Sequence, residues 1–182
     1  MSVTLRAMTP ADRLAVAQLI HLSTNAWYQA HARPPIFASH QAADVFFDTY
    51  EQLDPGCGLV AQDPANGTLL GSCFYHPRPT HMSLGIMNAH PAHAGRGVAR
   101  ALLAEIIRLA EAQDKPVRLV SSAINLDSYS LYNRAGFVPR AIFQDMFLKV
   151  PPGGLPHRVP GSEHVRLART DDVPAMGRFR TT

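Results

Sequence analysis

The segment Asn88-Ala-His-Pro-Ala-His-Ala-Gly-Arg-Gly-Val-Ala-Arg-Ala-Leu-Leu-Ala104 constrains this chain more than any other. A strand-like run, Met82 to Ala89, meets a turn bearing Gly95 and Gly97, and the turn opens directly into a strongly patterned helix. Such a strand-turn-helix aims unpaired backbone N–H groups and the positive end of a helix dipole at one point, which makes an anion site out of main chain. Glycines at the turn let the backbone approach phosphate oxygens closely. No Gly-Lys-Ser/Thr follows, so the loop is not a Walker loop.

Around this unit the pattern alternates between strand and helix. Val3 to Ala7 reads as a strand, and Thr9-Pro10-Ala11-Asp12 as a helix start with a Thr cap, an early Pro and an acidic first turn. In that helix Ala15, Leu19, Leu22 and Ala26 form a stripe that Val16 and Ile20 widen. Ala42 to Tyr50 predicts a second helix beyond Pro34 and Pro35. Leu59–Gln62 and Thr68–Tyr75 predict strands joined through the hairpin signal Asp63-Pro-Ala-Asn-Gly67. Gly97 to Gln113 is the best helix, with Ala99, Leu102, Leu103, Ile106 and Ala110 on one face. Val117–Ala123 reads as a buried strand, Ser128–Arg134 as a short helix ended by Gly136, and Phe137–Val150 as one or two strands. The order β-α-α-β-β-β-α-β-α-β describes a mixed α/β fold rather than a doubly wound sheet.

Composition narrows the function classes. A hydrophobic content of 46% supports a sizeable core, and 17% charged residues is too few for a disordered chain. The formal charge of +3 is spread along the chain, which gives no support to nucleic-acid binding. No apolar run reaches membrane-spanning length and no signal peptide is apparent at the start, so a soluble cytoplasmic protein without a membrane partner is expected. Cys57 and Cys73 read as small hydrophobes in a reducing compartment rather than a disulfide. His76, His81, His90 and His93 lack a tight ligand spacing, so no metal is expected.

The loop at 88–104, taken with Asn125-Leu-Asp-Ser-Tyr-Ser-Leu-Tyr-Asn-Arg-Ala-Gly-Phe137, resembles the GNAT N-acetyltransferase superfamily over about residues 3–150. The family's Arg/Gln-x-x-Gly-x-Gly/Ala loop is met at Gly97 and Ala99, but Ala94 stands where Arg or Gln is usual. Its second motif is met by Asn125, Ser128, Leu131, Tyr132, Gly136 and Phe137. The resemblance implies a mixed, mostly antiparallel central sheet flanked by helices, with acetyl-CoA as co-substrate. It places the cofactor along Asn88, Ala89 and His90, on Gly95, Arg96, Gly97, Val98 and Ala99, and beside Asn125 and Ser128.

It also makes Tyr132 the acid that protonates the departing thiolate, while an amine attacks the thioester directly and a backbone N–H from Met87–His90 polarises the carbonyl. The acceptor is then an amine of a small molecule or peptide. No base is assigned. No Asp or Glu lies between Phe74 and Leu103, and His81, His90, Asp48 and Glu51 each read equally as surface groups.

Residues 151–164, with four prolines and three glycines, read as a linker. Beyond it, residues 165–182 form a strand-helix segment that echoes the opening of the chain: Arg6 matches Arg166, Asp12 matches Asp172 and Ala15 matches Ala175. The echo suggests a truncated second repeat. With Ala94 and the unassigned base, it sustains an alternative: a degenerate, non-catalytic domain of a tandem protein that binds acyl-CoA or a partner. A nucleotide-binding regulator is a third class, set apart by tight ATP binding. Pairing of sheet edges into a homodimer is left open.

Overall fold

A computed structural model of the chain describes residues 3–144, 146–155 and 157–179. It divides into two compact units, one running up to Val138 and the other from Pro139 onward.

The first unit is a five-stranded sheet in the order β1-β2-β3-β4-β5. Its strands are β1 (Thr4–Ala7), β2 (Gly58–Gln62), β3 (Leu69–Pro77), β4 (Met82–Ala89) and β5 (Val117–Arg118). The first four are antiparallel, and β5 alone runs parallel to its neighbour β4. The expected mixed, mostly antiparallel sheet flanked by helices is therefore what forms. Helices α1 (Arg13–Ala30) and α2 (Asp44–Leu53) cover one face, and α3 (Val98–Glu111) and α4 (Leu126–Arg134) belong to the other.

Alternation along the strands builds both layers. Leu59 and Ala61 of β2 join Leu70, Cys73, Met82 and Leu84 under Val98, Leu102, Leu103, Ile106 and Ala110 of α3. Val60, between them, turns to the opposite face, where Phe74 meets Val16, Ala17, Ile20 and Phe47. The α3 stripe lies where its periodicity puts it, save that Val98 rather than Ala99 heads it. On α1 the buried line is Val16, Ala17, Leu19 and Ile20, while Leu22 is exposed. The β-branched pair, not the Ala15–Leu22 line, faces the sheet.

Local signals are honoured closely at two places. Pro10–Asp12 forms a 3-10 turn before α1, in which Asp12 Oδ2 accepts from the Thr9 N–H at 2.8 Å. Arg6 clamps the same carboxylate with bonds of 2.8 and 2.6 Å. The β2–β3 hairpin closes over Asp63, whose carbonyl accepts from the Gly67 N–H at 2.8 Å. There Gly67 takes a left-handed φ of 72°.

Two strand expectations fail. Val117–Ala123 shortens to Val117–Arg118, at the edge of the sheet, with half-buried and exposed residues alternating through Val120. Phe137–Val150 contains no strand among its described residues, and Asp145 lies outside them. A strand needs a ladder partner, which an apolar run does not supply.

In the second unit Val165–Arg169 has no ladder partner, and α5 (Val173–Phe179) follows a 3-10 turn over Thr170–Asp172. Arg180, Thr181 and Thr182 lie outside the described residues. No helix among the described residues is long and apolar enough to cross a membrane.

Candidate functional site

Strand β4 is the spine of the site. Cys73 pairs with Met87 and Tyr75 with Leu84, so two residues of β4, Gly85 and Ile86, face the single Phe74. That bulge bends β4 and increases its twist. Strand β5 follows β4 only at Met82 and Ser83, so among the described residues the outer edge of β4 has no ladder partner beyond that point.

Amide direction on this edge follows from one bond. The His90 N–H donates to the Leu70 carbonyl on β3 at 2.8 Å. By the alternation of an antiparallel ladder, Asn88 also points at β3, whereas Met87 and Ala89 present their N–H groups to the open edge. Of the expected positions Asn88, Ala89 and His90, Ala89 alone offers a main-chain donor there. The Asn88 side chain is engaged elsewhere: its Nδ2 donates to Ser23 Oγ on α1 at 2.7 Å.

The same strand runs into the glycine-bearing turn before α3. Pro91–His93 makes a 3-10 turn capped by His90, whose Nδ1 accepts from the Ala92 N–H at 3.2 Å. Gly95 and Gly97 both take left-handed φ values, 74° and 85°, which an L side chain resists. Gly97 is the N-cap of α3, and the first intrahelical bond runs from the Ala101 N–H to the Gly97 carbonyl at 2.9 Å. The N–H groups of Val98, Ala99 and Arg100 precede it and have no partner within the helix. They fit a pyrophosphate, with the dipole of a 14-residue helix behind them. Ala94 is exposed and its short side chain adds nothing to the cradle. The Arg96 guanidinium lies 3.4 Å from His93 Nδ1.

Gly71 lets α3 come this close. A Cβ there would stand 2.6 Å from Val98 Cγ1 and 3.0 Å from Leu102 Cδ1.

Helix α4 starts with Asn125 as its N-cap, the side-chain oxygen accepting from the Ser128 N–H at 3.1 Å. The Asn125 carbonyl oxygen thus serves the helix itself. Tyr132 packs against the α3 core layer with its ring edge-on to Phe137 at 5.8 Å. Burial, with Cys73 nearby, pushes its phenol up to about 12, so the hydroxyl keeps its proton at neutral pH. Tyr129, off that face, is exposed. Both cysteines are free thiols, Cys73 buried and Cys57 half-buried.

On the α1–α2 side a cavity of about 650 Å³ opens where β4 and β5 part. Phe46 and Tyr50 of α2 wall it against Gly85 and Ile86, with His81 and Arg118 also lining it. The four groups weighed as bases fare differently. Asp48 is held by Arg13 through two bonds of 2.6 Å. Glu51 accepts from the Gly56 N–H at 3.1 Å. His90 is the cap described above. His81 lies on the cavity wall, where desolvation, then Arg118, lowers its pKa.

Two features escaped the sequence reading: the bulge at Gly85 and Ile86, and a bond of 2.6 Å from His76 Nδ1 to Asp54 Oδ2. Only the glycine left a trace in the sequence, as an interruption of the β4 run. Among the described residues no group of three or more His, Cys, Asp or Glu could hold a metal ion.

Solved structures share this fold at low identity. Ribosomal-protein-S18-alanine N-acetyltransferase from Escherichia coli is 20% identical over 84% of this chain and 87% of its own, with a TM-score of 0.61. A GCN5-related N-acetyltransferase from Sphaerobacter thermophilus is 22% identical over 75% of this chain, with a TM-score of 0.60. A candidate acetyltransferase from Pyrococcus horikoshii is 17% identical over 76% of this chain, with a TM-score of 0.62. The present chain spans 44% of the length of each of the last two. No curated protein matches. The family model for the acetyltransferase (GNAT) family matches residues 19–137, well over half of the sequence, and the chain belongs to that family.

Proposed function

We propose that the chain is an acyl-CoA-dependent N-acetyltransferase that moves an acetyl group from acetyl-CoA to an amine of a small molecule or peptide by direct attack. One observation carries the proposal: the open edge of β4 runs straight into the unpaired N-terminus of α3. Backbone N–H groups from Gly95 to Ala99 hold the pyrophosphate, and the outward amides of Ala89 and Met87 pair with the pantetheine arm. An edge N–H of the same strand polarises the thioester carbonyl. Asn125 and Ser128 flank the arm from the start of α4. Tyr132, its proton retained by burial, gives that proton to the departing thiolate. The acceptor enters through the cavity between α2 and the parting strands. The two free thiols suit the cytoplasm.

Calorimetric titration with acetyl-CoA, CoA and ATP tests this. Tight binding of both CoA species with much weaker ATP is expected, and absence of acetyl-CoA binding overturns the proposal.

A second reading has its own observation. Arg166 clamps Asp172 with bonds of 2.8 and 2.6 Å, and the Arg169 N–H reaches the same carboxylate at 2.7 Å. This repeats the Arg6–Asp12 clamp in its two guanidinium bonds and its backbone N–H bond, without a counterpart of the Thr9 hydroxyl bond. It favours residues 165–182 as the opening of a second copy beyond the 151–164 linker, with residues 1–150 as one half of a tandem protein. If that half is degenerate, acetyl-CoA binds but no amine promotes CoA release.

A further inference from the structure

We propose that His76 is the general base that deprotonates the acceptor amine, with Asp54 as the residue that positions its ring; this rests on the transferase reading above. His76 lies on β3 with 8% of its surface exposed, on the same side of the sheet as Phe74 and the cavity wall. Asp54, just past the end of α2, takes the bond from Nδ1 at 2.6 Å, which leaves Nε2 as the acceptor of a neutral ring. Arg78 holds Asp54 from the other side at 2.7 and 2.9 Å, fixing the carboxylate in place. The Tyr50 ring packs on the imidazole at a centroid distance of 4.8 Å.

Nε2 is aimed at the bulge. A Cβ on Gly85 would stand 2.9 Å from it, so the nitrogen lies against the glycine main chain with no Gly85 side chain between it and the bulge. Gly85 and Tyr50, two neighbours of the ring, are both walls of the cavity, and the ring stands behind them. Among the described residues Nε2 has no hydrogen-bond partner. The other charged groups nearby are spoken for or distant from the ring: Glu51 turns to Gly56, and His81 and Arg118 stand along the cavity.

The step balances. A protonated amine passes one proton to Nε2, and Asp54 stabilises the resulting imidazolium. The freed lone pair attacks the thioester carbon and the C–N bond forms. As the intermediate collapses the C–S bond breaks with its electron pair on sulfur, which takes the Tyr132 proton. The second amine proton, lost as the amide forms, restores the tyrosine. One proton remains on His76 and leaves to solvent.

Two experiments test the assignment. Diethylpyrocarbonate acts on unprotonated, reachable imidazole nitrogens, so mass spectrometry of the treated full chain should find His76 modified. Escape of His76 while His81 reacts overturns the proposal, and this result needs no variant to fold. Turnover is then followed as CoA release with benzylamine, protonated at neutral pH, and aniline, already neutral. His76→Gln should slow benzylamine by about 100-fold or more and leave aniline little changed, with acetyl-CoA affinity preserved. Asp54→Asn should fall between the two. Equal losses with both amines, or none, overturn the assignment, whereas loss of acetyl-CoA binding by the unmodified chain overturns the transferase reading itself.

Discussion

Replacing Gly71 with alanine should damage cofactor binding through packing alone, because no side chain at this position reaches the site. The added Cβ would lie 2.6 Å from Val98 Cγ1, 3.0 Å from Leu102 Cδ1 and 3.1 Å from the Asn88 carbonyl oxygen. Carbon atoms prefer ~3.5–4.0 Å, so the first contact is about 1 Å too short. Val98 cannot swing away cheaply, since a β-branched residue in a helix has one favoured rotamer. The helix start must therefore lift, at an overpacking cost of ~1–3 kcal/mol. For a unit of this size that lowers Tm by roughly 4–12 °C. The lifted residue carries one of the N–H groups assigned to the pyrophosphate. A hydrogen bond to a charged group is worth ~1.5–3 kcal/mol, so losing it weakens acetyl-CoA by about tenfold or more. Thermal melts and calorimetry read the two effects. Val98→Ala removes the obstructing methyl, so the double variant should recover ~0.5–3 kcal/mol against the sum of the singles. A Gly71→Ala protein with unchanged melting and affinity, or strict additivity with Val98→Ala, refutes the reasoning.

Three further outcomes are expected. Tyr132→Phe should lower CoA release by about 100-fold or more while acetyl-CoA affinity holds, as followed with a thiol reagent; unchanged turnover removes the tyrosine from the chemistry. Its phenol, raised to about 12 by burial, should be absent from the main absorbance titration of the tyrosines near pH ~10. Since the unfolded chain ionises first, stability should fall as pH climbs from ~10 toward the folded value; Tyr50, Tyr75 and Cys73 are raised by burial too, so Tyr132→Phe should lessen that fall in urea melts at alkaline pH. Arg6, chiefly through its hydrogen bonds, holds the Asp12 carboxyl at about 2. The stability it contributes, on the order of 2 kcal/mol, is present above pH ~4 and is lost as pH falls through the folded value. Asp12→Asn should therefore melt earlier than the parent at pH 7, and urea melts of the two should converge near pH 2.

The parts of the molecule legible in its sequence are those whose cause is local. Helix α3 needs only its own apolar stripe and a glycine that tolerates φ of 85°, and the Asp63–Gly67 turn needs only its own side chains. The sequence begins the short helix at Ser128 and sets Asn125 beside the cofactor, whereas α4 starts at Leu126 and Asn125 caps it, its side-chain oxygen spent on the Ser128 N–H. Where the cause is a partner far along the chain, the pattern misled. Val117–Ala123 has the composition of a buried strand but only two residues in a ladder, and Phe137–Val150 is apolar without any ladder among its described residues. His76 was one histidine in a scattered four, because its partner Asp54 lies 22 residues away on the far side of a strand crossing. In the proposed mechanism strand β4 serves the cofactor through its outer edge, which demands only backbone, so no carboxylate has to appear there. The bulge at Gly85 and Ile86 sets a glycine, not a side chain, beside His76 Nε2, so in the proposed mechanism one strand would serve the cofactor through its edge and the base through its bulge.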